Sequence, residues 1–334
     1  MSTPPSVLPP EPPDSYQALS EYFTKTRGAN PFTLRAETMR RIEKVTERPL
    51  ICYVTKTLNL SPGIPVQIDD SDLVGISDLV RTSPGEKLDV LIISNGGSAE
   101  AAERIVRLLR AQYKEVRFIV PGNAFSAATL ICFSGDSIAM TLEGTLGPID
   151  PQINGVPARA ILRAFETLEE RLKNEGPKAL PAYVPLLSRY DLHILEICKS
   201  AQNLSSELAA RWLSEYMLRC EETDEKVVKA VGFFADYDVH KSHGRSIDRT
   251  RAAEMLKIEK TEDIGLDSLV RSLYLQYVFW FDQTAFYKNF ECARGINWGR
   301  QASVPTPINI QLPIPMPPGQ IPIPGIPGLP QKPK

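Results

Sequence analysis

The chain has 334 residues, room for one large or two medium domains with a substantial core. Its 38 Lys and Arg against 40 Asp and Glu leave a net charge of −2, so no field draws the whole protein onto nucleic acid or an anionic membrane. Five scattered cysteines, Cys52, Cys132, Cys198, Cys220 and Cys292, contain no C-x-x-C pair, which excludes a disulfide framework and a structural zinc site.

In chain order, Met1 to Pro13 is Pro-rich and has neither the basic nor the apolar part of a secretory leader. No run of eighteen apolar residues occurs anywhere. The expectation is a soluble, cytoplasmic protein with no transmembrane segment. A strand is predicted over Leu50 to Thr55, followed by a linker containing Ser61-Pro62-Gly63. Asp89 to Ile93 is a second apolar strand running into Ser94-Asn95-Gly96-Gly97. From Ser98 the apolar residues Ala102, Ile105, Val106 and Leu109 follow helical spacing, with Glu100 and Glu103 at the favourable end of the helix dipole. Val116 to Val120 is a strand, Phe125 to Phe133 a short helix, and Ser137 to Thr141 another strand. Such alternation with unbroken apolar strands implies a parallel sheet covered by helices on both faces. Beyond Pro151, the stretches 158–173, 191–218 and 266–290 lack strand alternation and read as helical. Eleven prolines between Pro305 and Pro333 exclude a helix from the C-terminal end. That end reads as a polyproline tail, either a plain disordered one or one that docks into an aromatic groove or along a neighbouring subunit.

Two turns at the carboxyl ends of predicted strands carry the chemistry. The first is Asn95-Gly96-Gly97-Ser98, where paired glycines let the backbone approach another group and aim free amides outward. The second is Gly122 to Thr129, in which Ser126 opens a short helix, either as an N-cap or as a nucleophile. A nucleophilic serine needs two donors aimed at its oxyanion, and the amides of Gly97 and Ala127 become such a pair if the turns converge. Other chemistries lack their motifs. There is no G-x-x-x-x-G-K-[ST], no H-E-x-x-H and no G-x-S-x-G, and the histidines are His193, His240 and His243. No metal or organic cofactor is expected. Phe279, Trp280, Phe281, Phe286 and Tyr287 lie in an expected helical segment and read as core or subunit interface.

The run from Leu88 to Ile153 resembles the core of Clp-fold serine peptidases, and most of all the serine dehydrogenase proteinases. The resemblance rests on Asn95-Gly96-Gly97, Ala124-Phe125-Ser126-Ala127 and Leu146-Gly147-Pro148-Ile149-Asp150-Pro151-Gln152, in that order and spacing. It extends more faintly from about Tyr53 to Gly265, including Ser242-His243-Gly244. It implies an α/β fold of the ClpP/crotonase type, a spiral of parallel β-strands with flanking helices followed by a mostly helical C-terminal region. It also implies a homo-oligomeric peptidase acting on peptide or protein substrates, with Ser126 as nucleophile and Gly97 and Ala127 amides as oxyanion hole, supported by Gly96 and Asp150. The matching organisation is a Pro-rich tail over 1–14, a peptidase domain over 15–265 with a helical insertion at about 158–235, a helical extension over 266–303, and a Pro-rich tail over 304–334 open to a partner.

The general base stays open. The Clp protease has a histidine about one strand beyond its nucleophile, but residues 147–152 contain none. Signal-peptide peptidases of similar fold use a lysine on a later helix, and Lys199 occupies a comparable place. The apolar stripe Ile194, Ile197, Cys198, Ala201 and Leu208 leaves Lys199 nearly opposite, as in a solvated lysine. His193 flanks that stripe and is an alternative base; His243 is a third. Asp150 either orients a base or caps a turn. Two other functions compete: a crotonase-like acyl-CoA thioester enzyme, and a catalytically silent scaffold that recruits partners through its Pro-rich tail.

Overall fold

The computed structural model describes residues 9, 11–188, 190, 191, 193–219 and 223–302. The C-terminal Pro-rich tail, most of the N-terminal one and Cys220 lie outside the described residues.

The chain opens with α1 (Tyr16–Lys25) and α2 (Pro31–Thr46), started by Ser15 and Asn30, whose side chains accept N-cap bonds from Ala18 and Phe32. It then forms β1 (Leu50–Thr55), α3 (Asp72–Thr82), β2 (Lys87–Ile93), α4 (Ala99–Gln112) and β3 (Glu115–Val120). Next come β4 (Asn123–Ala124), α5 (Ala127–Phe133), β5 (Ser137–Met140), β6 (Thr145–Leu146), and the small hairpin of β7 (Gln152–Ile153) and β8 (Val156–Pro157). The helical region is α6 (Ala158–Glu175), α7 (Leu180–Leu187), α8 (His193–Trp212), ending in a π-turn over Leu213–Met217, α9 (Thr223–Ala235) and α10 (Tyr237–His240). The chain returns to the sheet through β9 (Ile247–Asp248), α11 (Arg249–Ala253) and β10 (Ile258–Lys260), then α12 (Asp267–Gln283), β11 (Phe286–Cys292) and β12 (Asn297–Gln301).

Seven strands form the main sheet in the order β10-β5-β3-β2-β1-β11-β12. Its first five are mutually parallel, as the unbroken apolar runs predict. Alternate residues of each central strand serve opposite faces. Ile51, Tyr53, Val90, Ile92, Phe118 and Val120 pack under α3, α4 and α5, while Cys52, Val54, Leu91, Ile93 and Ile119 pack under α2 and α12. The stripe predicted for α4 is the buried one, and Ser98 caps the helix by accepting from the Ala101 N–H. A buried pair links two of the parallel strands: Arg117 of β3 donates to both carboxylate oxygens of Asp89, its register partner on β2, at 2.8 and 3.1 Å.

The expected helical extension over 266–303 is corrected: the helix stops at Gln283, and 286–292 and 297–301 are strands. Thr284 takes an extended conformation and ends the helix. β11 then lies antiparallel to β1, where its polar residues are buried against partners distant in sequence. Arg35 of α2 donates two bonds to Glu291 at 2.6 and 2.8 Å, and the Tyr277 hydroxyl donates a third at 3.0 Å. Lys288, Asn289 and Glu291 disguise this strand, because their burial depends on charges that no local pattern contains. The aromatic cluster proves to be packing: Trp280 lies against Phe32 and Phe286, and Phe279 stacks on Phe23.

Removing one partner of a buried ion pair leaves an uncompensated charge. Glu291→Ala is therefore expected to lower the unfolding free energy by about 3–5 kcal/mol, read as a lower denaturant midpoint.

Candidate active site

Beyond the end of β2, Ser94 inserts its backbone between Asn123 and Phe125. Its N–H donates to the Asn123 carbonyl at 2.8 Å, and its own carbonyl accepts from the Phe125 N–H at 2.9 Å. This short parallel link ties the diglycine turn to the serine turn. At Gly96, φ is +96°, and a Cβ there would lie 2.6 Å from both the Phe125 carbonyl oxygen and the Ser126 Cβ. Only glycine admits that contact. Gly97 faces a second neighbour, and a Cβ on it would run into the backbone of Ile68. Ile68 donates to the Gly96 carbonyl and accepts from the Ser98 N–H, both at 2.9 Å, so it brackets Gly97 from both sides. Among the described residues the amides of Gly97 and Ala127 donate no hydrogen bond.

Ser126 stands at the start of α5 with φ 54° and ψ −120°, a region that a residue with a side chain rarely adopts. Its side chain makes no capping bond, so the N-cap explanation does not account for it, and it is only half-buried. All seven residues of α5 are buried, which anchors the strained residue from behind. Thr129 within that helix binds the loop that follows β6. Its hydroxyl lies 2.7 Å from the Ala124 carbonyl and 3.0 Å from that of Gly147, and it accepts from the Gly147 N–H at 3.1 Å.

The same loop leads to Asp150, 2 % exposed, whose Oδ1 lies 2.9 Å from His243 Nδ1. A carboxylate on Nδ1 makes that nitrogen the proton carrier and leaves Nε2 as the acceptor. Two bonds hold the loop in place: Ser205 of α8 donates to the Ile149 carbonyl at 2.7 Å, and the Ile149 N–H donates to Phe234 of α9 at 2.9 Å. Ser126, Ala127, Gly96, Gly97 and His243 line one open cavity of about 610 Å³, with Leu130, Ile149, Ile153 and Leu204 as apolar wall.

Residues 24–176 match the family of ClpP-like SDH-type serine proteinases. Two curated relatives, both uncharacterized, come from Methanocaldococcus jannaschii. Protein MJ0137 is 40 % identical over 109 residues, 31 % of this chain and 37 % of its own length. Protein MJ1495 is 26 % identical over 204 residues, 57 % of this chain and 69 % of its own. The chain thus spans little more than a third of the first relative. Similar solved structures include a mutant of the membrane-bound stomatin-specific protease 1510-N, at 15 % identity and TM-score 0.36, covering 58 % of this chain and 74 % of that one. A ClpP1 mutant from Listeria monocytogenes aligns at 11 % identity and TM-score 0.36, covering 68 % and 98 %.

The ClpP-like family segment carries Ser126 and Asp150 but ends before His243. Of the sequence candidates, the structure gathers Ser126, Gly96, Gly97, Ala127 and Asp150 in one place, together with His243. It does not bring Lys199 or His193 to the cavity. Lys199 is 59 % exposed on α8 and pairs with Glu196 at 3.3 Å, and His193 is exposed at the start of that helix. The buried face of α8 runs through Cys198, Ser205, Leu208, Ala209 and Trp212, leaving Ile197 outside the expected stripe. Among the described residues no three His, Cys, Asp or Glu side chains could hold a metal ion, and no helix is long and apolar enough to cross a membrane.

Two outcomes follow from this geometry. Gly96→Ala forces its new methyl into the serine turn, and is expected to cost about 1–3 kcal/mol on denaturant titration. His240 is buried against α9, with Nε2 2.7 Å from the Phe233 carbonyl and its ring edge-on to Phe233. Burial lowers its pKa below the ordinary imidazole value. The unfolded chain then takes up the proton first as pH falls. This contribution to stability is complete above about pH 6.5 and shrinks below it. Thermal midpoints measured between pH 7.5 and 5 should fall for the native chain and fall less steeply in His240→Gln.

Proposed function

We propose that this chain is a serine peptidase in which Ser126 is the nucleophile, His243 the general base, Asp150 its orienting carboxylate, and the Gly97 and Ala127 amides the oxyanion hole. The observation that carries the reading is the shared cavity: an uncapped serine in a strained turn and an Asp-paired histidine open onto the same space. Strain of about 1–3 kcal/mol at one residue persists where surrounding packing enforces it, and catalytic turns are where it collects.

The steps follow from the atoms. His243 Nε2 takes the Ser126 hydroxyl proton as Oγ attacks the carbonyl carbon of the scissile peptide bond. The imidazolium is stabilised by Asp150 Oδ1 through Nδ1–H. Negative charge moves onto the carbonyl oxygen, where two fixed amides meet it without reorganisation. His243 then gives its proton to the leaving amine nitrogen, the C–N bond breaks, and an acyl group remains on Ser126. Water, deprotonated by the same imidazole, hydrolyses that ester and restores the serine. No metal or organic cofactor enters these steps. The apolar wall accommodates peptide side chains, and the reading includes a cytoplasmic homo-oligomer acting on peptides or proteins.

A fluorophosphonate probe tests the assignment. Labelling is expected in the native protein and lost in Ser126→Ala. His243→Ala and Asp150→Asn should slow labelling by about 10²–10⁴-fold, the range that a general base contributes. Lys199→Ala should leave the rate unchanged. Labelling that depends on Lys199 and not on His243 would transfer the base to α8. No labelling combined with saturable acyl-CoA binding would indicate a thioester enzyme.

A further inference from the structure

Lys288 is an ammonium buried in the middle of β11, and nothing in the proposed chemistry uses it. Burying a cation is costly unless its donors are fully matched. Its Nζ lies 2.6 Å from the Gln67 carbonyl, 2.9 and 3.0 Å from the two carboxylate oxygens of Asp72, and 3.0 Å from Asp69. Every one of these bonds goes to a single segment, 67–72. That segment is not a ladder strand; it is the chain that carries Ile68 past Gly97. Tyr53 of β1 tightens the group by donating its hydroxyl to Asp72 Oδ2 at 2.7 Å, and the Asp69 N–H donates to the same oxygen at 3.1 Å. Burial first, and then the adjacent Asp72 charge, raise the Tyr53 pKa and keep that hydroxyl a donor.

The path to the cavity is short. Gln67, fixed through its carbonyl, is followed directly by Ile68, which binds the carbonyl before Gly97 and the amide after it. The space at Gly97 is closed on that side by the Ile68 backbone. A displacement of residues 67–68 is therefore a displacement of the Gly97 peptide, and Gln67 itself lines the cavity.

We propose that Lys288 is a positioning residue for the oxyanion turn: from β11 it clamps segment 67–72 and, through Ile68, sets the direction of the Gly97 amide. The inference rests on the reading of Gly97 as an oxyanion donor. It makes the strand pair β1–β11, remote from the nucleophile, part of what aligns the site.

The test measures fluorophosphonate labelling on full-length protein, resolved into the maximal rate and the half-saturating concentration, with thermal midpoints as the check of folding. Lys288→Met is expected to lower the maximal rate by up to about 100-fold, the cost of roughly an ångström of misplacement, with half-saturation unchanged. Tyr53→Phe, which keeps the ring and its packing, should lower the same rate by a smaller factor. Glu291→Ala is the control, because it removes a buried charge from the same strand without touching segment 67–72. Its rate per folded molecule should match the native one. Equal rates per folded molecule in Lys288→Met and Glu291→Ala would overturn the inference. Should Lys288→Met fail to fold, Tyr53→Phe decides: an unchanged maximal rate overturns the proposal, and a lower rate at constant half-saturation supports it. Absence of labelling in the native protein would overturn both the peptidase reading and this one, whereas labelling that is lost in Ser126→Ala but indifferent to Lys288 and Tyr53 overturns only this one.

Discussion

The site depends on one backbone contact, the packing of Gly96 against Phe125 and Ser126. Because no side chain intervenes, the turn after β2 and the turn after β3 approach to the distance of a hydrogen-bonded pair, and Ser94 stitches them together. The unusual dihedral angles of Ser126 follow from that closeness. The helix behind it bears the strain: α5 is buried along its whole length, and each large apolar side chain so buried stabilises by about 1.5–3 kcal/mol. A conformational cost of one to a few kcal/mol is thereby offset without tying down the hydroxyl.

Around this contact, the molecule uses buried charge to set register. Asp89 with Arg117, Glu291 with Arg35, and Asp72 with Lys288 each join elements far apart in sequence. Such pairs add little net stability over apolar packing, but a one-residue slip would strand a charge in the interior. They are specific where a continuous Val and Ile strand is not. The two faces of the sheet then fill with ordinary apolar side chains.

The Asp150–His243 half of the site is assembled differently. Asp150 follows a loop gripped by Thr129, Ser205 and the Phe234 carbonyl, and His243 reaches it after helices α6 to α10, 93 residues further along the chain. The helical region between them therefore returns an imidazole to the Asp150 loop. The family segment ends at residue 176, so the histidine comes from a portion of the chain outside that match.

What could be read from the residues alone was local. Unbroken apolar strands alternating with an amphipathic helix are enough to specify a parallel sheet with two covered faces, and Asn95-Gly96-Gly97 with Ser126 marked the two turns that the fold brings together. The same periodicity turned Lys199 away from the core of its helix. Three matters required the folded chain. Pairing of His243 with Asp150 carries no local signal, since neither residue's neighbours encode the other. The strand at 286–292 looks polar until Arg35 and Asp72 neutralise it across the sheet. The bracketing of Gly97 by Ile68 arises in a segment without regular structure. Periodicity reports how a residue relates to its own helix or strand, while a site is made by distances between elements, and those are set when the cores on both faces of the sheet close together.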